Sequence, residues 1–229
     1  MNLLAFDTST EYLSLAVQKG SEVFTFDINA GQTHSQIILP QIQGLLNEAK
    51  LALSDLQGIA FGAGPGSFTG VRIAAGVAQG LGFGANLPVV DICTLLALAE
   101  ASGAGKVIAC LDARMGEVYH AVYEKTHDTW QTVLAPGLYK PAEVPPVQGD
   151  GWVGAGSGWQ AYSEQLSLVY GKQLHAVQPQ ALPTAAAILA LAKPIVVSGN
   201  AKSAGEAMPI YIRNRVALKT AEREQGLKR

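Results

Sequence analysis

The chain opens the same structural phrase twice. Leu3-Leu4-Ala5-Phe6-Asp7 is a short apolar run closed by an aspartate; Thr8-Ser9-Thr10-Glu11 turns, and Leu13-Ser14-Leu15-Ala16-Val17 then alternates like a strand with one covered face. In the second half, Val107-Ile108-Ala109-Cys110-Leu111-Asp112 is again an apolar run ending in an aspartate. Ala113-Arg114-Met115-Gly116 turns, and Val118 to Tyr123 forms the second strand. Either two unrelated hairpins share one chain, or one supersecondary unit is used twice and the molecule is built from two similar modules. The 229 residues suffice for one large domain or two small ones.

Composition narrows the class further. Hydrophobic residues make up 48% and charged residues 15%, the balance of a compact α/β protein and the opposite of a disordered one. A formal charge of -2 provides no global field for a phosphate backbone, so tight nucleic-acid binding by the chain alone is not expected; a partner could supply that charge. Cys93 and Cys110 stand far apart without CxxC spacing, which suggests neither a disulfide framework nor a zinc site and fits a reducing, cytoplasmic setting. The N-terminus has no basic n-region, and no segment approaches the roughly 20 apolar residues of a membrane span.

Along the chain, Val23 to Ile28 reads as a third strand after the first hairpin. Thr33-His34-Ser35-Gln36 has the form of a capping box, with Ile38, Ile42, Leu45 and Ala49 at helical spacing, so a helix is expected from about Thr33 to Lys50 with Pro40 inside it. Gly58 to Phe61 is a buried strand, and Gly62-Ala63-Gly64-Pro65-Gly66 leads into a second helix near Ser67 or Thr69. Val89 to Ile92 forms a strand and Leu95 to Ala101 a helix, after which Ser102-Gly103-Ala104-Gly105 marks a boundary between domains 1–104 and 105–229. Further on, Pro136 to Gly151 reads as surface loop, Gly154 to Gly158 as a glycine-rich turn before a helix, Ala185 to Ala192 as a buried helix and Ile195 to Val197 as a strand. Arg213 to Arg229 reads as a frayed or docking tail.

The chemistry-bearing patterns are few. The loop from Gly62 to Gly70 is not a Walker A loop, because no lysine followed by Ser or Thr stands where phosphate charge would be met. It also fails the GxGxxG and GxSxG patterns. Two readings stay open: a tight turn that glycine permits through close backbone approach, or a phosphate seat on the free amides of the following helix. Asp7 and Asp112 could hold a cation through water or bond the amides of their own turns. Among the histidines, His34, His120, His127 and His175 lack metal-ligand spacing, so no metal site is expected. The second helix carries Gly76, Gly80 and Gly84 on the side of Arg72. Each glycine costs about 1 kcal/mol against alanine in a helix interior, a cost that close approach of another helix, in the core or in a partner, would offset.

Taken together, Phe6-Asp7-Thr8-Ser9-Thr10, the Thr33-His34-Ser35 helix start, Gly64-Pro65-Gly66-Ser67-Phe68-Thr69-Gly70-Val71-Arg72 and Asp112-Ala113-Arg114-Met115-Gly116-Glu117-Val118-Tyr119 resemble the bacterial TsaB (YeaZ) family. Pro209-Ile210-Tyr211-Ile212-Arg213 is similar to that family's terminal YLR motif. The resemblance implies an actin-like ATPase (ASKHA) fold of two duplicated α/β domains. It implies a non-catalytic subunit that binds and activates TsaD, which transfers threonylcarbamoyl to adenosine 37 (t6A) of tRNAs reading ANN codons. TsaD-like sequences carry an HxxxH metal motif whose histidine positions fall here on Thr94 and Leu98, so the transferase centre is missing. The first turn, Thr8-Ser9-Thr10-Glu11, also departs from the glycine that actin-like ATPases use there, which makes independent ATP hydrolysis unexpected.

The partners implied are TsaD and the ATPase TsaE, tRNA through the complex, and a homodimer when the sister subunit is absent. No cofactor is expected in the isolated chain, with ATP or ADP conceivable at the complex interface. The contact surface implied comprises Thr33, His34, Ile38 and Ile42 of the first helix with Arg72, Gly76, Gly80 and Gly84 of the second. Asp7, Thr8, Ser9, Thr10, Gly64 and Gly66 are the candidate nucleotide contacts. The rival classes are a glycoprotease-like hydrolase and a sugar-kinase-like ATPase, neither supported by a residue constellation.

Overall fold

The computed structural model describes residues 1–213; of the expected charged tail only Arg213 falls within the described residues. Strand β1 (Asn2–Asp7) pairs antiparallel with β2 (Tyr12–Lys19), which pairs antiparallel with β3 (Glu22–Asn29). On the other side of β1, strands β4 (Gly58–Gly64) and β5 (Val89–Cys93) add in parallel. The first sheet therefore runs β3-β2-β1-β4-β5. The second is built from β6 (Lys106–Asp112), β7 (Val118–Thr126), β8 (Thr129–Tyr139), β9 (Trp152–Ala155) and β10 (Leu174–Gln178). Its order, β8-β7-β6-β9-β10, repeats the first strand for strand. The hairpin register closes on Asp7 opposite Ser14 in one sheet and on Asp112 opposite Val118 in the other. The repeated phrase in the sequence is a repeated five-stranded module.

Alternation along β1 shows how the layers assemble. Leu4 and Phe6 join Leu15, Val17, Ile59 and Phe61 beneath α1 (His34–Glu48) and α2 (Phe68–Ala85). Leu3 and Ala5 point to the other face, where Ile188, Leu189 and Ala192 of α6 (Ala185–Val197) cover them. Next to α6, helix α3 (Thr94–Ala101) presents Leu95, Leu98 and Ala99 to Val107, Ala109 and Leu111 of the second sheet. The far face of that sheet is closed by Trp159 of α4 (Ser157–Ala161) and by Leu166 and Tyr170 of α5 (Ser163–Tyr170). The result is helices, sheet, a shared pair of helices, sheet, helices.

In that shared layer α6, which follows the 104/105 boundary in sequence, packs on β1, β2, β4 and β5 of the first sheet. The amide of Ala185 donates to the buried Ser14 hydroxyl at 2.7 Å. Burying side chains such as Ile188 and Leu189 is worth about 1.5–3 kcal/mol each, and the otherwise bare face of the first sheet is where that burial is available. Three local expectations change. Ile195 to Val197 is the last turn of α6, not a strand, because the apolar spacing from Ile188 continues at helical period through Pro194. Pro136 to Tyr139 belongs to β8, an edge strand where a missing amide costs no ladder bond. Thr33 does not cap α1 with its side chain; its hydroxyl donates to Ala30 O at 2.8 Å instead. By contrast, α2 is capped by Ser67, whose Oγ accepts from Gly70 N, and ends on Asn86 in the left-handed region.

Candidate functional site

The duplicated aspartate turns face one another across a cavity of about 780 Å³ between the two sheets. Ser9, Thr10 and Glu11 line one side with Gly66, Ser67 and Phe68; Asp112, Arg114 and Met115 line the other. Across the gap, Arg114 Nη2 lies 3.0 Å from Glu11 Oε1.

Each aspartate is committed to its own turn. Asp7 is buried, and its Oδ1 accepts from the Ser9 amide at 2.9 Å and the Ser9 hydroxyl at 2.8 Å. Its Oδ2 has no hydrogen-bond partner. It rests in the space that a Cβ on Gly62 would take. Burial pushes the Asp7 carboxyl up to about 6, against the lowering effect of the Ser9 bonds. Asp112 Oδ1 accepts from Arg114 N at 2.9 Å and from Tyr162 OH at 3.2 Å, and Oδ2 lies 3.3 Å from Arg114 Nη1.

The glycine-rich loop is the seat for the first turn. A Cβ on Gly66 would meet Ser9, and one on Gly70 would run into the Thr8 carbonyl. Two bonds tie the pieces together: Ser67 N donates to Ser9 O and Thr8 Oγ1 donates to Gly70 O, both at 2.7 Å. Close backbone approach is thus what these glycines permit. Of the six candidate contacts, Asp7, Thr8 and Gly64 do not line the cavity; only Ser9, Thr10 and Gly66 do, beside the Glu11 carboxylate.

At the positions compared with a metal-binding histidine pair, the Thr94 hydroxyl accepts from Gly64 N at 3.0 Å and Leu98 is buried in the core between the sheets. Among the described residues no three His, Cys, Asp or Glu side chains converge on one point, and no helix is long and apolar enough to cross a membrane. His120 is fully buried, with Nε2 2.8 Å from Tyr170 OH, and burial pushes its pKa down to about 4.

The helix residues expected to form a contact surface divide. His34, Ile38 and Ile42 are buried in the core at 5%, 1% and 3% exposure, because their four-residue spacing is the core-facing stripe of α1. These three pack into the core, while Thr33 is exposed. On α2 the stripe is open: Arg72, Gly76, Gly80 and Gly84 are exposed, and a Cβ on any of the three glycines would meet nothing within 4 Å. The glycine that accommodates packing is Gly82, whose Cβ would stand 2.8 Å from that of Ala204. Sequence reasoning missed Phe68 and Tyr211, which flank Arg72. The Arg72 guanidinium lies 3.4 Å from the Phe68 ring centroid, and Arg72 Nε donates to Tyr211 OH at 2.8 Å. Arg72 and Tyr211 are 139 positions apart, so no local pattern could announce the pair.

The chain is 37% identical to the tRNA threonylcarbamoyladenosine biosynthesis protein TsaB of Escherichia coli, over 96% of this chain and 97% of that one. It is 39% identical to TsaB of Haemophilus influenzae, over 96% of each. The chain belongs to the TsaB family. YeaZ from Pseudomonas aeruginosa superposes with a TM-score of 0.82 at 36% identity, covering 92% of this chain and 99% of that one. Residues 28–206 match the family model described as TsaD, tRNA N6-adenosine threonylcarbamoyltransferase. The duplicated sheets are accordingly an ASKHA-type α/β fold, and membership in the TsaB family places the chain in the biosynthesis of threonylcarbamoyladenosine in tRNA.

Proposed function

We propose that this TsaB-family chain is a non-catalytic subunit that docks a TsaD-type transferase and activates it in the threonylcarbamoylation of adenosine 37 of tRNAs reading ANN codons. The observation that carries the reading is the open stripe of α2. Three glycines in a helix interior each cost about 1 kcal/mol, and among the described residues nothing fills the space they leave. A partner helix laid along Gly76, Gly80 and Gly84 could approach at backbone range, with Arg72 at one end and Phe83, 68% exposed, at the other. A second copy of the chain could use the same face when the transferase is absent; TsaE and tRNA would join through the complex.

Two features support the absence of chemistry in this subunit. Thr94 and Leu98 are committed to the loop and the core, and Ser67 Oγ caps α2. Neither the Thr94 and Leu98 positions nor Ser67 supports the hydrolase and kinase alternatives.

The test is Gly80→Leu. The free space around Gly80 lets the isolated chain accept the side chain with no loss of melting temperature, whereas pairing with TsaD, read by calorimetry, should weaken at least about tenfold, or 1.4 kcal/mol. Equal affinity for wild type and variant would rule out the α2 stripe as the docking face. Modification of tRNA assayed with and without this chain checks activation.

A further inference from the structure

After α6 the chain crosses from one module to the other as a strap. Lys202 exchanges two 2.8 Å backbone bonds with Val89, and its Nζ lies 2.7 Å from Asp91 Oδ1. Further along, Gln79 Nε2 donates to Ala207 O and Ile210 N donates to Ala63 O, both at 2.8 Å. Tyr211 then receives the Arg72 bond at the start of α2. Up to this point every contact named is with the first module. Arg213 reaches the second: Nη2 donates to Ala113 O at 3.1 Å and to Glu117 Oε2 at 2.6 Å, and Nη1 lies 3.1 Å from Met115 Sδ.

The turn it grips needs support. Arg114, Met115 and Gly116 stand in succession at φ 62°, 60° and 75°, and two of them are not glycine. Such a backbone persists when its surroundings over-determine it. A further bridge across the cavity, Glu11 to Arg114, joins side chains 59% and 74% exposed, so solvent screens it. The Arg213 side chain is only 13% exposed and bonds a carbonyl and a carboxylate at once. Elsewhere α3 packs against both β4 and β6, joining the two modules.

We propose that residues 202–213 are an interdomain clamp, in which Tyr211 and Arg213 hold the Ala113–Glu117 turn to the N-terminal end of α2 and so set how far the cavity opens. The clamp belongs to the chain by itself and does not depend on the docking reading. Both residues act by positioning the modules.

The experiment uses the full chain carrying Arg213→Ala and, separately, Glu117→Ala, which breaks the same contact from the other side. Amide hydrogen exchange is read at Ala113 and Glu117, whose amides bond to Glu117 O and Arg114 O within the turn, and at the β1 amides of Leu4 and Ala5. Exchange in the turn should rise at least tenfold in both variants with β1 protection unchanged. Pulsed electron paramagnetic resonance between labels at the exposed Gln43 of α1 and Leu168 of α5, in a Cys93→Ser background, should show a broadened intermodule distance. Unchanged turn exchange and distance, or acceleration that reaches β1 equally, would overturn the clamp.

Discussion

Glycines four residues apart occur twice in succession, and only the surroundings of each tell the two sets apart. At Gly62, Gly66 and Gly70 a side chain would strike Asp7, Ser9 or Thr8; at Gly76, Gly80 and Gly84 it would meet open space. Gly62→Ala should therefore destabilise the chain by about 2–4 kcal/mol in urea unfolding, since a buried carboxylate must be displaced from its Ser9 bonds. Asp7→Ala removes the obstacle, so the double variant should cost less than the sum of its singles.

The buried titrating groups make opposite demands on pH. Asp7, raised to about 6 from 3.8, takes up a proton in the folded state before the unfolded one does. Its contribution is full below pH 3.8 and is lost as pH rises through 6. His120, lowered to about 4 from 6.5, is held neutral by burial, so the unfolded chain protonates first and its contribution is lost as pH falls through that window. Each slope is at most about 1.4 kcal/mol per pH unit, and in the overlap they offset one another. Asp7→Asn should expose the histidine slope, with stability falling on acidification from pH 6.5 to 4 in denaturant titrations. A stability independent of pH in that variant would contradict the assignment.

Within α2 the decisive variable is which side of one helix a position occupies. Gly80→Ala adds a methyl to open space at a helical position and should stabilise the isolated chain by up to about 1 kcal/mol. Gly82→Ala, two residues on, meets Ala204 Cβ at 2.8 Å with Leu87 O and Val89 Cγ1 at 3.2 Å, and should cost about 1–3 kcal/mol. Thermal melts of the two variants should move in opposite directions. Both glycines looked alike in the sequence, because a single chain does not state which face of a helix is covered. The spacing of Ile38 and Ile42 likewise marks one face of α1, and packing makes it the inner one. Local chemistry was more legible where a residue acts on its neighbours, as in the Asp7 and Asp112 turns.

At the scale of the molecule, neither module closes its own core. The first sheet needs α6 from the second half, and the second sheet needs α3 from the first. Calorimetry should accordingly show one cooperative transition with equal calorimetric and van't Hoff enthalpies, where two independent domains would show two.

From the residues alone, the two hairpins, their closing aspartates, the glycine loop and the helix after it could be read, because each depends on apolar alternation and turn chemistry within a few positions. The partition of helices between sheets, the open face of α2 and the strap from Lys202 to Arg213 came only with the tertiary structure. Burial and backbone contact between residues a hundred or more apart depend on how the layers stack, and no local period carries that information.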